Sequence, residues 1–169
     1  MVRPGVVPFA LSLRGETERV SDIERTVRRA TSGDLGALLE LDRTAPVGRE
    51  HPELLTARVR SSEVLLIDRA GQVLGYAVHR DRAFFGRDFV ELLVVASGER
   101  RSGLGSLLLR RTVELASTQR IFTSTNLSNT PMIGLLEKAD WRFSGLLEGI
   151  DDGDPEIVYF KDASHLKSS

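Results

Sequence analysis

The sequence predicts a single α/β domain in which seven strands alternate with four helices. Its 169 residues, 41% hydrophobic and 28% charged, have the size and composition of one globular domain. Hydrophobic patterns and turn signals give the order strand, two helices, three strands, helix, strand, helix, two strands. The strand–helix–strand unit over residues 89–125 indicates a parallel strand pair joined by a right-handed crossover.

Residues 1–25 are predicted to form an arm, flexible or loosely docked, ahead of one domain over residues 26–169. Prolines and glycines interrupt any periodicity in the arm. Its apolar run is short, is broken by Pro8 and lacks a small-residue cleavage site, so it does not resemble a signal peptide. No stretch approaches the roughly 20 apolar residues of a membrane-spanning helix. We therefore expect a cytoplasmic protein with no membrane partner.

The first part of the folded domain predicts one strand and two helices. Residues 26–30 fit a short strand. Thr31-Ser32-Gly33-Asp34 resembles a capping box with Asp in place of Glu or Gln. Leucines then recur at helical spacing, so a helix should begin near Leu35 and run to about Arg43. Residues 52–60 predict the second helix.

The middle of the chain predicts a hairpin and a buried strand. The hairpin joins strands over residues 63–69 and 73–80 through the turn Ala70-Gly71-Gln72. Residues 89–96 are predicted to form the next strand. Its run Leu92-Leu93-Val94-Val95 is typical of a strand buried on both faces.

The remaining segment predicts two helices and three strands. The strongest helix covers residues 103–117 and places leucines 104, 107, 108 and 115 on one face. Asn129 can cap the second helix. Strands are expected over residues 121–125, 142–147 and 156–161, and the acidic turn Asp151-Asp152-Gly153-Asp154-Pro155 joins the last two.

Charge and cysteine content exclude several classes of protein. Lys and Arg number 23 and Asp and Glu 24, whereas a nucleic-acid binder usually carries a basic surplus, so no nucleic-acid partner is predicted. The chain has no cysteine, which removes disulfides, thiolate metal sites and a cysteine nucleophile. Because His51, His79 and His165 are scattered, we expect surface or packing roles for them and no metal site.

The most informative segment is the turn Glu99-Arg100-Arg101-Ser102-Gly103-Leu104-Gly105-Ser106. It follows a buried strand and opens a helix, so the free N–H groups of the first helical turn would face outward with the positive end of the dipole. Its two glycines let the backbone approach a ligand, and its two arginines add positive charge. The segment predicts a phosphate or pyrophosphate site, the alternative being a tight turn whose glycines only relieve strain. It is neither a Walker loop nor a dinucleotide fingerprint.

Arg100-x-x-Gly103-x-Gly105 resembles the acetyl-coenzyme A signature of the GNAT superfamily of N-acetyltransferases. Residues 89–95 are similar to the family's fourth strand and residues 129–141 to its later motif, and the order of elements agrees over about residues 26–161. Residues 122–129 resemble a bacterial subgroup of unknown substrate. The resemblance implies a GNAT-like mixed α+β fold. In that fold about four helices flank a mostly antiparallel seven-stranded sheet, whose central parallel strands are splayed around the cofactor.

The resemblance also implies which residues hold acetyl-CoA. The amides of residues 101–106 would bind its pyrophosphate, the backbone of two valines would pair with its pantetheine arm, and an asparagine would contact it near the start of the following helix. The predicted cofactor-binding residues are therefore Val94, Val95, Arg100, Arg101, Ser102, Gly103, Leu104, Gly105, Ser106 and Asn129.

Glu91 is the predicted general base. An alkylamine must lose a proton before it can be acetylated, since a lysine-like amine has a pKa of about 10.4. Glu91 lies on the strand beside the expected thioester, where similar enzymes often place a carboxylate. The alternative is that it faces solvent or forms a structural ion pair. Many relatives carry a tyrosine acid where this chain has Leu136, so water or a hydroxyl such as Ser128 is expected to serve instead.

Other side chains allow more than one interpretation. The acidic turn either borders the acceptor pocket and favours a cationic amine, or is a solvated loop. Tyr76 and Tyr159 are expected to pack within strands. Phe84-Phe85, in a short loop, lines a pocket or interface or packs in the core. Asp140-Trp141 replaces the family's usual Gly-Phe and indicates a variation of turn and core.

The leading functional hypothesis is an N-acetyltransferase that moves acetyl from acetyl-CoA to an amine of a small molecule or peptide. Without cysteine there is no acyl-cysteine intermediate, so transfer would be direct, in a ternary complex. One alternative is a non-catalytic acyl-CoA-binding or regulatory module on the same fold, suggested by the missing tyrosine. Another is a mononucleotide-binding domain of a different kind. Family analogy and the frequency of twofold pairs favour a homodimer.

Overall fold

The computed structural model describes residues 26–45 and 52–163. The predicted arm over residues 1–25, the predicted helix stop over residues 46–48, and His51 and His165 lie outside the described residues.

Seven strands and four helices follow the predicted order. The strands are β1 (Val27–Arg29), β2 (Val64–Arg69), β3 (Gln72–Phe84), β4 (Arg87–Val95), β5 (Arg120–Asn126), β6 (Arg142–Leu147) and β7 (Glu156–Asp162). The helices are α1 (Leu35–Thr44), α2 (Pro52–Arg60), α3 (Leu104–Leu115) and α4 (Thr130–Lys138). Ahead of α1, the Asp34 carboxylate accepts a hydrogen bond from the Thr31 amide at 2.8 Å, as the predicted capping box requires.

The strands form one sheet in the order β1-β2-β3-β4-β5-β7-β6. Every neighbouring pair is antiparallel except β4 and β5, which are parallel and are joined by α3. The predicted mixed sheet with one central parallel pair is thus confirmed.

The tip of the β3–β4 hairpin corrects the predicted placement of Phe84-Phe85 in a short loop. Phe84 ends β3 and pairs with Arg87, so Phe85 and Gly86 form a two-residue turn. Their φ angles are 48° and 74°. Two-residue turns between strands require such positive values, but phenylalanine seldom adopts them. Phe85 is 93% exposed, whereas Phe84 stacks on Phe89 with ring centroids 5.2 Å apart. Gly86 is a usual residue for such a turn, but phenylalanine in place of Asn, Asp or Gly at the first position hides the turn, so the sequence predicts an earlier end of the strand.

Helices cover both faces of the sheet. On one face, α1 and α2 pack against β2 and β3 in a cluster that includes Leu38, Leu55, Leu66 and Tyr76. On the other face, Leu104 and Leu108 of α3 are buried, with Leu107 and Leu115 beside them, as predicted. A further cluster joins α3 and α4 to β5 and β7. The parallel pair therefore has α3 and α4 on one face, while the α1–α2 cluster on the other face reaches β4 at Leu92 and Val94.

The amino end of β4 is fixed by the buried carboxylate of Asp88. Its oxygens accept hydrogen bonds from the Ser117 amide at 2.7 Å and from the Arg82 amide at 3.4 Å, and the His79 ring lies 3.0 Å away. Burial alone would raise the pKa of the Asp88 carboxyl, but these donors lower that pKa below its ordinary value. His79 is thus a buried hydrogen-bonded residue.

Candidate active site

Strands β4 and β5 form a fork. Parallel pairing joins only Asp88–Val90 to Ile121–Thr123, although β4 continues to Val95 and β5 to Asn126. At the last pair, the Thr123 hydroxyl donates to the Val90 carbonyl at 2.9 Å. Beyond it, no strand among the described residues pairs with β4 on the side facing β5. The backbone there is open to an extended ligand that adds to a sheet edge.

The fork also changes the expected burial of β4. The run Leu92–Val95 was predicted to be buried on both faces, but only Val94 is buried, and the other three residues are half-buried. The reason is that β5 diverges from β4 beyond the pair Val90–Thr123. The last part of β4 therefore has a neighbouring strand, β3, on one side only. An apolar run of this kind can therefore belong to a strand that contacts a ligand as well as to a strand buried within the protein.

The glycine-rich turn places free amides at the start of α3. Gly103 is the N-cap with φ 87°, a left-handed conformation that favours glycine, and no side chain caps the helix. The amides of Leu104, Gly105 and Ser106 belong to the first turn and have no acceptor within the helix. They point out of the helix with the positive end of its dipole, which is the geometry of an anion site.

The charges around this turn also suit an anion. Arg100 and Arg101 are exposed, and neither forms an ion pair within residues 26–45 and 52–163. The Glu99 carboxylate, the negative group of the turn, accepts a hydrogen bond from Arg69 at 3.2 Å. The Ser102 hydroxyl donates to the Glu99 carbonyl at 2.5 Å and folds the turn back. Two cations thus remain for a phosphate-bearing ligand.

Gly105 has a packing role that the sequence did not indicate. A Cβ at this position would come within 2.9 Å of Leu135 Cδ2 and 3.9 Å of Leu93 Cδ2. The missing side chain lets the first turn of α3 lie against α4 beside β4. Gly105 therefore holds the free amides close to the fork.

Asn129 caps α4, as predicted. Its side-chain oxygen accepts from the Met132 amide at 3.3 Å, while its Nδ2 donates to the Thr125 hydroxyl at 2.9 Å. The second bond ties the start of α4 to the carboxyl end of β5. Asn129 thereby lies beside the carboxyl end of β5, across the fork from the end of β4 at Val94 and Val95.

Leu136 and Trp141 fill the core beneath this site. Leu136 is fully buried and Trp141 is 4% exposed, both in the cluster that joins α4 to β5 and β7. Asp140 has φ 56° between them. The predicted variation of turn and core is confirmed. Tyr76 and Tyr159 are also buried, as predicted.

Glu91 occupies a β-bulge at the point where the fork opens. Val78 pairs with Leu92 and His79 with Val90, so Glu91 is the extra residue of β4. A bulge re-aims the side chain that it carries. Val90 packs in the α3–α4 cluster, whereas Glu91 contacts Arg58 of α2. The bulge thus turns Glu91 toward the α1–α2 face, one residue past the last parallel pair.

Two arginines hold the Glu91 carboxylate. Arg58 binds it in a bidentate manner, with Nε 2.7 Å from Oε2 and Nη2 3.1 Å from Oε1, and Arg80 Nη1 lies 3.1 Å from Oε1. Both guanidinium groups also face Glu63, at 3.4 Å and 3.7 Å. Burial alone would lower the pKa of Arg58, but the hydrogen bond and charge of Glu91 raise it above its ordinary value. The Glu91 side chain is 22% exposed, and the two arginines fix its carboxylate in place.

The acidic turn between β6 and β7 borders the carboxyl end of β5. Asp151 accepts from Asn126 Nδ2 at 2.8 Å, and Asp154 accepts from both the amide and the hydroxyl of Ser128, at 3.0 Å and 2.6 Å. A cavity of about 350 Å³ lies here, and its lining includes four acidic residues and no basic one: Glu148, Gly149, Asp151, Asp152, Gly153, Asp154 and Pro155. The donors in these three bonds are neutral, so the carboxylates give the lining a negative charge that suits a cation.

The fork, the uncapped amides and the bulge all lie within the part of the chain that matches a known family. A family model for the "Acetyltransferase (GNAT) family" matches residues 34–141, well over half of the chain. This chain belongs to the GNAT acetyltransferase family. It is therefore an acetyltransferase of the class that uses acetyl-CoA, as the resemblance implied.

Solved structures agree with this assignment. The chain is 27% identical to a GNAT-family acetyltransferase from Bacillus cereus ATCC 10987, with a TM-score of 0.75 over 82% of this chain and 96% of that one. It is 26% identical to a ribosomal-protein-alanine N-acetyltransferase from Brucella melitensis, with a TM-score of 0.65 over 81% and 99%. An acetyltransferase from Salmonella typhimurium, solved with acetyl-CoA, shares the fold at 19% identity and a TM-score of 0.66, over 82% and 94%. No curated protein matches the sequence.

The described residues fit acetyl-CoA in two respects. The open edge of β4 offers backbone groups to an extended arm, and the start of α3 offers amides and two free arginines to a pyrophosphate. Sequence reasoning missed Arg58, Arg80 and Asn126, because their roles depend on contacts between elements that are distant in sequence. Among the described residues, no group of three or more His, Asp and Glu side chains could hold a metal ion, and no helix is long and apolar enough to cross a membrane.

Proposed function

We propose that this protein is an N-acetyltransferase that moves acetyl from acetyl-CoA to an amine by direct transfer in a ternary complex. The observation that supports it most is the fork between β4 and β5 next to the uncapped start of α3. An open strand edge and an anion site lie side by side, which matches a ligand with an extended amide-bearing arm and a pyrophosphate. The chain has no cysteine to carry an acyl group, which favours direct transfer.

Each predicted cofactor-binding residue has a defined place in this proposal. The amides of residues 101–106 bind the pyrophosphate, and the side chains of Arg100 and Arg101 neutralise phosphate charge. Val95 pairs through its backbone with the pantetheine arm, whereas Val94, whose carbonyl faces Gly75 on β3, supports that edge from within the sheet. Asn129 contacts the cofactor from the β5 prong. When bound, acetyl-CoA supplies the thioester that is attacked.

The proposed base is Glu91, at the opening of the fork. The amine nitrogen forms a bond with the acetyl carbon as the carbon–sulfur bond breaks, and the sulfur leaves as a thiolate. The cationic amine loses two protons in all: one leaves for water as the amide forms, and the other, whose loss frees the lone pair for attack, passes to Glu91 directly or through one water. The carboxylate has room for that proton, since its contacts with the two arginines leave one lone pair open.

We propose that water protonates the departing thiolate. Leu136, where many relatives have a tyrosine, is fully buried and has no proton to give. The Ser128 hydroxyl already donates to Asp154, so it would have to break that bond first. A thiol has a pKa of about 8.5, so its thiolate leaves with less assistance than an alkoxide needs.

The proposed acceptor is a cationic amine of a small molecule or peptide. The carboxylates around the β6–β7 cavity would draw such an amine toward the carboxyl ends of the parallel strands, which is where open α/β sheets bind ligands. A cytoplasmic homodimer is the proposed form of the enzyme. Sedimentation equilibrium of the purified protein tests the homodimer, and a monomer across the concentration range would contradict it.

The experiment that tests this function follows CoA release from acetyl-CoA across a panel of small amines and peptides. We expect turnover with a primary amine, and Glu91→Gln should lower kcat by about 100-fold or more. Glu114→Gln is the matched control, since Glu114 also faces two arginines, Arg110 and Arg111, but is half exposed and lies near the end of α3. Acetyl-CoA binding without turnover on any amine would instead favour a non-catalytic acyl-CoA-binding module, which the buried Leu136 keeps as the second candidate.

A further inference from the structure

We propose that Arg58 and Arg80 are positioning residues that direct proton transfer to one oxygen of Glu91, Oε2, with Arg58 the dominant of the two. This inference rests on the proposed function, in which Glu91 is the base. It concerns how a bulged, partly exposed carboxylate is held ready for the amine.

The hydrogen bonds of Glu91 distinguish its two oxygens. An ionised carboxylate has about four lone-pair positions, two on each oxygen. Oε1 accepts from Arg58 Nη2 and from Arg80 Nη1, both at 3.1 Å, so both of its positions are filled. Oε2 accepts from Arg58 Nε alone, at 2.7 Å. The open position lies on Oε2, and the amine proton or a bridging water can be accepted there.

The bulge explains why this carboxylate needs a clamp. Glu91 is the unpaired residue between two ladder pairs, so β3 does not fix its backbone by direct pairing. A glutamate side chain left free would also have several rotamers at 22% exposure. Two parallel N–H groups from one guanidinium fix the plane of the carboxylate as well as its position.

Arg58 is itself held firmly. Its side chain is 15% exposed, and it extends from α2, whose Leu55 and Val59 are buried in the α1–α2 cluster. Its third nitrogen lies 3.4 Å from Glu63. The orientation of Glu91 is therefore set by a helix packed on the sheet.

Arg80 contributes less than Arg58. It makes one hydrogen bond to Glu91, its side chain is 32% exposed, and its buried Nε lies 3.7 Å from Glu63, too far for a hydrogen bond. Loss of Arg80 would free a position on Oε1 and leave Oε2 held. Loss of Arg58 would release both oxygens. The two variants should therefore differ in degree.

A double-mutant cycle tests the inference. The variants are Arg58→Gln, Arg58→Lys and Arg80→Gln, and Arg58→Gln is also combined with Glu91→Gln. Arg28→Gln is the control. Arg28 lies on β1, at the far edge of the sheet, and makes a bidentate pair with Asp34. The readouts are kcat for CoA release with the best amine of the panel and the acetyl-CoA Kd from calorimetry.

We expect Arg58→Gln to lower kcat by about tenfold or more, Arg58→Lys to recover part of the loss, and Arg80→Gln to lower kcat by roughly threefold. The acetyl-CoA Kd should stay within about twofold in every variant. In the Glu91→Gln background, Arg58→Gln should cause no further loss, because its effect passes through Glu91. Arg28→Gln should leave kcat unchanged.

Three results would overturn the inference alone: an unchanged kcat in Arg58→Gln, losses that multiply in the double variant, or a larger loss in Arg80→Gln than in Arg58→Gln. If Arg58→Gln does not fold, Arg58→Lys and Arg80→Gln decide the matter, since a kcat that falls no further in Arg58→Lys than in Arg80→Gln contradicts the dominant role of Arg58. A wild type that binds acetyl-CoA but releases CoA with no amine overturns the proposed enzyme and this inference together.

Discussion

Gly75 on β3 lies directly against the Val94 carbonyl of β4. A Cβ added at Gly75 would come within 2.9 Å of that oxygen and 3.5 Å of Leu108 Cδ1. Because Val94 belongs to the open prong of the fork, this close approach fixes the position of the edge that is proposed to bind the pantetheine arm.

Gly75→Ala should weaken acetyl-CoA binding. The added methyl group must displace backbone, which yields less readily than the end of a side chain, so the Val94 carbonyl would shift. We expect an increase of about tenfold in the Kd measured by calorimetry and a loss of about 1–3 kcal/mol in the free energy of unfolding. Gly36→Ala is the control, since a Cβ at Gly36 on α1 meets nothing within 4 Å. It should stabilise the protein by about 0.5–1 kcal/mol and leave the Kd unchanged. Equal Kd values for the two variants would contradict this role for Gly75.

Tyr76→Phe should destabilise the domain without a comparable loss of activity. The Tyr76 hydroxyl donates to the buried Asp42 carboxylate at 2.5 Å and joins β3 to α1. Burial and the bond to Asp42 raise the pKa of Tyr76 above its usual range, so the phenol keeps its proton. Removal of the hydroxyl takes this donor away from the buried Asp42 carboxylate. The free energy of unfolding measured in urea should therefore fall by about 1–3 kcal/mol. Tyr159→Phe is the matched control, because no described group hydrogen-bonds to the Tyr159 hydroxyl. A cost as large for Tyr159→Phe would show that the Asp42 bond is not the cause.

Asp88 should make stability depend on pH in acid. Its folded-state pKa lies below the unfolded value of about 3.9, so its contribution is complete above that pH and is lost as the pH falls through the folded pKa. Asp88→Asn should cost about 1–3 kcal/mol at neutral pH, and its deficit should shrink below about pH 4. Denaturant unfolding from neutral pH downward measures this. Asp152→Asn, at an exposed site, should keep the wild-type slope. A deficit that stays constant with pH would contradict the assignment.

Asn129→Ser should separate the helix cap from the link to β5. Serine can still accept from the Met132 amide, so the free energy of unfolding should change by less than about 0.5 kcal/mol, whereas Asn129→Ala should lose about 1 kcal/mol. The bond to Thr125 is lost in both variants, and acetyl-CoA affinity should fall in both. Thr125→Val removes the same bond from the other side. A normal Kd in all three variants would remove Asn129 from the proposed cofactor site.

Local patterns predicted most of the fold because each element carried its own signal. The capping box at Thr31, the cap at Asn129 and the leucine face of α3 all involve residues within a few positions of one another. The β3–β4 turn escaped prediction because phenylalanine rarely adopts a left-handed conformation, and Gly86 alone does not fix the turn at these two residues.

The site was predictable only where it follows the backbone of one segment. The glycine-rich turn showed where α3 begins and hence where its free amides lie. The guanidinium clamp on Glu91 arises from a bulge that depends on the register of two strands and from a helix more than thirty residues away (33 from Arg58 to Glu91), so no local pattern could predict it. The packing of Gly105 against Leu135 likewise depends on how two helices meet.

The central claim, that the fork and the start of α3 bind acetyl-CoA, is tested most directly by titrating the protein with acetyl-CoA in a calorimeter. The wild type should bind with saturation at one site per chain. The double variant Arg100→Glu with Arg101→Glu should weaken that binding by at least about tenfold while the protein stays folded, because both side chains are exposed and two carboxylates would then stand beside the amides proposed to hold the pyrophosphate. Absence of binding by the wild type, or undiminished binding by the folded double variant, would contradict the account.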